Sequence, residues 1–93
     1  MARTYGDRAK LLKRRLGVLQ GAKSLDEVPT GSPDRRHMLT GDRQGQFSVT
    51  IKDNWRLVFV PANDPLPLRE DKSIDLTKVT AIHLIEVVDY HGE

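Results

Sequence analysis

The sequence contains no cysteine, only 5% aromatic residues, and no apolar run as long as a membrane span. Without cysteine the chain has no disulfide, no thiol nucleophile and no thiolate ligand for zinc or an iron–sulfur cluster. The basic N-terminus lacks the apolar stretch of a signal peptide, so we expect a cytoplasmic protein that does not contact a membrane. Metal-ligand spacings and glycine-rich nucleotide motifs are missing too, so we expect no metal and no cofactor.

The chain is short, and its charge is unevenly distributed. A length of 93 residues allows one small hydrophobic core, so we expect a single domain spanning residues 1–93 and no large nucleotide-cofactor enzyme. Residues 1–56 hold 12 Lys+Arg and 6 Asp+Glu, a net charge of +6, whereas residues 57–93 hold 3 and 7, a net charge of −4. A basic half favours a phosphate-rich partner such as RNA, DNA or the ribosome, although a solvated helix face has the same composition.

An amphipathic helix is predicted over residues 5–21. Its apolar face carries three leucines at helical spacing, which are Leu12, Leu16 and Leu19. Lys13 and Arg14 lie on its other faces and are candidates for binding RNA phosphates. Residues 24–27 have the spacing of a capping box, so a second helix of about one turn is predicted before Pro29.

From residue 46 the apolar residues recur with a period of two, which is typical of strands. Residues 46–51 and 55–60 alternate in this way around a polar connection at 52–54, so we predict an antiparallel hairpin. Its inward-facing side chains would be Phe47, Val49, Ile51, Trp55, Leu57 and Phe59. Residues 63–77 are polar and predict a long surface excursion. Residues 79–90 are almost continuously apolar, which predicts a strand near the middle of the sheet, covered on both faces.

Chemically versatile side chains are concentrated in residues 35–37, 41–46 and 89–91, together with Arg56 on the hairpin. If the last strand pairs beside the hairpin, four of these side chains converge on the open face of the sheet: Arg43, Arg56, Tyr90 and His91. The planar guanidinium group fits phosphate oxygens, and tyrosine and histidine can transfer protons. The set is therefore suited to a reaction in which the RNA chain is cleaved by attack of the RNA's own 2′-hydroxyl group.

The same residues also have structural interpretations. Gly41 and Gly45 are typical turn residues, and Asp42 can form an ion pair with its neighbour Arg43. A histidine near a C-terminus, such as His91, is commonly a solvated imidazole. These interpretations stay open on spacing alone.

Three runs of sequence resemble one family in their order and spacing. The runs are GDRQGQFSVTI at 41–51, NWRLVF at 54–59 and EVVDYH at 86–91, and they are similar to HigB-type toxins of the RelE/ParE toxin-antitoxin superfamily, the plasmid maintenance killer proteins. The likeness is strongest over residues 33–60 and 79–91. It implies an α+β fold in which two N-terminal helices pack on a small antiparallel β-sheet.

The resemblance also implies a function and its residues. Such toxins are metal-independent mRNA interferases that cleave mRNA in the ribosomal A site, and a helix-turn-helix antitoxin neutralises them. By position, the resemblance implies catalytic roles for Arg56, Asp89, Tyr90 and His91, and RNA or phosphate contacts for Arg43 and His37. The histidine would transfer protons, the tyrosine would stack on a base, and the arginines would stabilise the phosphate charge.

Two other functions remain open. The superfamily includes ParE-like gyrase inhibitors, which bind protein without performing chemistry and generally lack the Tyr90-His91 ending. The second is a non-catalytic module that binds antitoxin or ribosome, because Thr40 stands where relatives often have lysine and the family's strand before the basic helix is missing from the sequence.

Overall fold

The computed structural model describes residues 2–89, with side chains from residue 9 onward. One α-helix, α1 (Ala2–Gly21), precedes four strands in this part of the chain, which are β1 (His37–Met38), β2 (Phe47–Lys52), β3 (Trp55–Pro61) and β4 (Ile82–Asp89). Single 3-10 turns lie at Leu25–Glu27, Gly41–Arg43 and Leu76–Lys78. The α+β class is therefore confirmed. No helix among these residues is both long enough and apolar enough to cross a bilayer.

The strands form one antiparallel sheet in the order β1-β2-β3-β4. The predicted hairpin is confirmed, because β2 and β3 pair across a two-residue connection in which Asp53 adopts a left-handed φ of 54°. Glycine adopts that backbone region most easily, and short polar residues such as aspartate are the next most tolerant. The last strand pairs beside the hairpin, with Val87 opposite Leu57. This pairing is the condition under which side chains of the last strand are predicted to share the open face of the sheet with Arg56.

The hydrophobic core lies between α1 and one face of the sheet. The helix packs mainly over β2, and its predicted leucine face contacts the core, as do several of its other apolar residues. The rings of Phe47 and Phe59 stack at the centre, with centroids 6.0 Å apart and planes 18° from parallel. Five of the six predicted inward side chains are buried, whereas Trp55 is only half-buried. The fully buried cluster comprises Leu25, Val28, Phe47, Val49, Ile51, Leu57, Phe59 and Val79.

The predicted second helix is only the 3-10 turn Leu25–Glu27. The Ser24 hydroxyl does not cap this turn but donates to the Asp26 carboxylate, while Glu27 Oε1 accepts from the Lys23 backbone N–H at 2.8 Å. Pro29 disfavours a helical backbone at the residue before it, and that residue is extended. The structure therefore supports one helix and a short turn on the sheet.

The prediction for the last strand is wrong in its position. β4 is an edge strand, and Leu84, Ile85 and Val87 remain 45%, 43% and 42% exposed. Because α1 lies mainly over β2, it leaves β4 largely uncovered. The register between β3 and β4 also shifts, since Val58 pairs with Glu86 but Phe59 pairs with Leu84, so Ile85 is a bulge.

The chain between β3 and β4 is the predicted surface excursion, and its two ends are tied together. Asn63 Oδ1 accepts from the backbone N–H groups of Thr80 and Ala81, at 3.0 and 3.1 Å, and Asn63 Nδ2 donates to the Thr80 hydroxyl. Within the excursion, hydrogen bonds from Ser73 and from Thr77 lower the pKa values of Asp71 and Asp75 respectively. The excursion is thus locally ordered although mostly exposed.

Candidate functional site

The sheet face that α1 leaves uncovered carries two rows of side chains. Directly paired residues of antiparallel strands point to the same face. One row crosses all four strands through His37, Ser48, Val58 and Glu86, and the next row contains Thr50, Arg56 and Val88. His37 and Arg56 therefore lie in neighbouring rows. These rows are about 7 Å apart, because that is the distance between residues two apart in a strand.

A depression of about 620 Å³ opens on this face. It brings together His37 and Arg56, two of the predicted site residues, with two further arginines at positions 35 and 36. The remaining lining is mostly polar, and the complete set is Thr30, Gly31, Ser32, Arg35, Arg36, His37, Leu39, Thr40, Ser48, Thr50, Asn54 and Arg56. Three guanidinium groups and an imidazole around one depression form a site suited to a polyanion.

The loop at residues 30–36 forms one wall of the depression. Arg36 is half-buried and donates from Nε to the Val28 carbonyl at 2.9 Å. Burial lowers the pKa of the Arg36 guanidinium, and the nearby Asp26 carboxylate opposes that shift. Arg35 is exposed and has a left-handed φ of 49°, with its backbone N–H donating to the Gly31 carbonyl. The tight loop therefore presents two consecutive arginines.

A buried basic residue anchors that loop to the sheet. Arg15 Nε on α1 donates to the Thr50 carbonyl at 2.6 Å and lies 3.6 Å from Asp34 Oδ1. The Thr50 backbone N–H in turn donates to the Asp34 carbonyl oxygen at 2.7 Å. Arg15 and Asp34 are both buried. One basic residue of the N-terminal half thus has a structural role and is not available to a ligand.

Arg56 lies at the hairpin end of the site. It is half-buried, and Nη1 donates to the Asp53 carbonyl at 2.9 Å. This bond holds the guanidinium beside the turn between β2 and β3, where Asn54 also lines the depression. The sequence prediction that Arg56 faces away from the core is confirmed by the register of β3.

Arg43 is on the same side of the sheet but outside the depression. Its Nη1 donates to Gln46 Oε1 at 3.1 Å, and its Nη2 forms an ion pair with Glu86. Because Glu86 pairs with Val58, this arginine reaches across Val58, which is only 1% exposed. Gly45 supports the preceding turn with a φ of 92°, as its structural interpretation predicts. The face expected to be open is therefore covered at this end and open around Arg56.

Other predicted site residues are not brought to the depression. Lys13 and Arg14 are exposed on α1, which packs on the opposite side of the sheet, and Lys13 borders a groove between α1 and β4. Asp89 pairs with Trp55 and so lies on the face opposite Arg56. Tyr90 and His91 lie outside the described residues.

Residues 35–37 form a polar segment of the sequence, in which a role is predicted only for His37. Both neighbouring arginines line the depression, and so do Asn54 and Thr50. The clustering of two arginines directly before a histidine is the signal that could have identified them. The contributions of Asn54 and Thr50 have no comparable signal, because they depend on how the loop folds over the sheet.

The chemistry of the described part of the site is that of charge and hydrogen bonding. Among residues 2–89, no group of three or more histidine, aspartate or glutamate side chains is placed to hold a metal ion. No protein-family model matches the chain, and no curated protein is significantly similar to it.

Proposed function

We propose that this protein is the toxin of a type II toxin-antitoxin system, with a RelE-like fold, and acts as a ribosome-dependent mRNA interferase. The observation that supports this function best is the depression shared by His37, Arg56 and two further arginines on the face opposite α1. The resemblance of residues 41–51, 54–59 and 86–91 to HigB-type toxins supplies the specific reaction.

The depression is suited to a nucleic-acid backbone. Arginine groups form bidentate hydrogen bonds with phosphate oxygens, and three arginines line this site. Ser48 and Thr50 add hydroxyl groups to the lining, and hydroxyl groups also contribute to phosphate and sugar contacts. A single-stranded segment of mRNA, held by the ribosome, is the ligand we assign to the site.

In the proposed reaction, the 2′-oxygen of one nucleotide attacks the adjacent phosphorus atom and the bond to the 5′-oxygen breaks. A base removes the 2′-hydroxyl proton, and an acid protonates the departing 5′-oxygen, leaving a 2′,3′-cyclic phosphate and a free 5′-hydroxyl. We assign proton transfer to His91 and base stacking to Tyr90. Arg56 stabilises the negative charge that accumulates on the phosphate.

The ribosome has a defined part in this proposal. It holds the mRNA in the geometry that attack requires, and positioning of this kind can contribute several kcal/mol to a reaction. Few protein groups are then needed, and free RNA should remain uncut. The cytoplasm is the compartment in which this substrate occurs, and a helix-turn-helix antitoxin of the HigA type is the partner that would restrain the toxin.

Cleavage of ribosome-bound mRNA in a reconstituted translation reaction tests this function. The wild-type chain should shorten the message, and Arg56→Gln should slow cleavage roughly 100-fold, as expected when one charge-stabilising donor is lost. His91→Gln should reduce cleavage at least as much. Arg69→Gln is the matched control, because Arg69 is an exposed arginine of the excursion that does not line the depression.

Two results would contradict the proposed function. Folded Arg56→Gln and His91→Gln variants that cut as fast as the wild type would exclude this catalytic set. A wild-type chain that leaves ribosome-bound mRNA intact would favour the non-catalytic module, and inhibition of gyrase supercoiling by the same preparation would favour the ParE-like alternative.

A further inference from the structure

The outer edge of β4 carries no lysine and no proline, two residues that protect edge strands from pairing. Natural edge strands commonly carry lysine, proline or inward-pointing charge. β4 has the sequence IHLIEVVD, and its central charge, Glu86, is already paired with Arg43 of the same chain. No strand within residues 2–89 pairs with this edge. Three large apolar side chains therefore remain exposed beside unpaired backbone groups.

The apolar surface continues from β4 onto the helix. A groove of about 610 Å³ between α1 and β4 is lined by apolar residues of both elements, with Lys13 at its border. These apolar residues are Leu16, Leu19, Ala22, Ile82 and Leu84. A partner strand added to β4 would extend over part of this groove, so backbone pairing and apolar burial would occur together.

We propose that β4 pairs antiparallel with β4 of a second copy of this chain, joining two four-stranded sheets about a two-fold axis. The self-complementarity of the strand supports a second copy as the occupant. With the axis between Ile85 and Glu86, Leu84 lies opposite Val87 of the second copy, and His83 lies opposite Val88 of the second copy. Each contact occurs twice, as an isologous interface requires.

The bulge at Ile85 makes this register consistent. Residues three apart in a regular strand point to opposite faces. Because the bulge adds one residue, Leu84 and Val87 both lie on the α1 face, opposite Phe59 and Leu57 respectively. Directly opposed residues must share a face, so the pairing of Leu84 with Val87 of the second copy is possible only with the bulge.

Charge is also complementary in this register. Asp89 of the second copy lies opposite Ile82, which lines the same groove as Lys13. The register therefore brings Asp89 of the second copy to the groove that Lys13 borders, and this happens twice per dimer. The two Glu86 residues lie opposite Ile85 rather than opposite each other, so the interface avoids a like-charge pair. No residue of β4 lines the depression containing His37 and Arg56, so pairing at the outer edge of β4 leaves the depression accessible.

Sedimentation equilibrium of the full chain over a concentration series tests the proposal. The wild type should sediment as a dimer that dissociates on dilution. Val87→Lys should weaken self-association about 100-fold, tenfold for each of the two Leu84–Val87 contacts. Leu68→Lys is the matched control, since Leu68 is 51% exposed in the excursion, and it should dimerise as the wild type does. Circular dichroism establishes that both variants are folded.

Cross-linking tests the register, since the natural chain has no cysteine. A chain carrying both Leu84→Cys and Val87→Cys should form covalent dimers with a short thiol-specific cross-linker, whereas Val87→Cys alone should form far fewer. A wild type that stays monomeric at every concentration overturns the proposal, even if β4 binds an extended segment of another protein. Unchanged dimerisation of Val87→Lys, or equal cross-linking by Val87→Cys alone, also overturns it.

Discussion

β3 and β4 are neighbouring strands of similar apolar composition, yet their environments differ. Leu57, Val58 and Phe59 of β3 are each at most 3% exposed, because β3 has a strand on either side, the hydrophobic core on one face and the Arg43 segment on the other. β4 has one strand neighbour and little cover. Apolar composition therefore indicates that a strand is stabilised when other structure packs against it. It does not indicate whether that structure belongs to the same chain.

The difference between β3 and β4 can be tested at two residues that face each other. Phe59 and Leu84 are partners on the same face of the sheet, but Phe59 is fully buried and Leu84 is not. Phe59→Ala should lower the free energy of unfolding by about 3–5 kcal/mol. Leu84→Ala, measured in urea at a concentration that keeps the chain monomeric, should cost less than about 1 kcal/mol. Equal losses would mean that β4 is covered within one chain.

A similar contrast can be tested between adjacent residues of α1. Arg15 is buried against Asp34 and Thr50, whereas Arg14 is exposed. Arg15→Leu should cost about 3 kcal/mol of unfolding free energy, because the Asp34 carboxylate would remain buried without its cation. The control Arg14→Leu should change stability by no more than about 0.5 kcal/mol. Thermal or urea unfolding measures both, and similar values would contradict the buried role of Arg15.

The smallest effect is expected where β4 helps to cover β3. Arg43 and Glu86 are 37% and 41% exposed, so solvent screens their ion pair. Glu86→Gln should cost about 0.5 kcal/mol, and added salt should reduce that difference. Glu70→Gln, an exposed change in the excursion, should cost nothing measurable. A salt-independent loss of about 2 kcal/mol would show that the pair behaves as a buried one.

Elements with strong local patterns could be predicted from the sequence. The hairpin follows from strict alternation around a short polar turn, and α1 follows from its leucine spacing. The position of β4 could not be predicted in this way, because a central and an edge strand can have the same apolar composition. β1 is only two residues long, too short for a periodicity to develop.

The candidate site likewise contains some features that local sequence predicts and others that it does not. Alternation in the hairpin is sufficient to place Arg56 on the face opposite the core. The approach of Arg35 and Arg36 depends on the bond between Asp34 and Thr50, which joins segments distant in sequence. The position of Asp89 depends on the register of β4, including the bulge, and neither is visible in local sequence.

The clamp made by Asn63 has a consequence for how this chain can change in length. It closes the base of the excursion with three hydrogen bonds to Thr80 and Ala81, so the spacing of β3 and β4 is fixed independently of the residues between. The cost of closing a loop grows only slowly as residues are added. Insertions among the exposed residues 68–73 are therefore compatible with an unchanged sheet. An epitope or a fluorescent reporter grafted there would follow the protein in cells without occupying either the depression or the β4 edge.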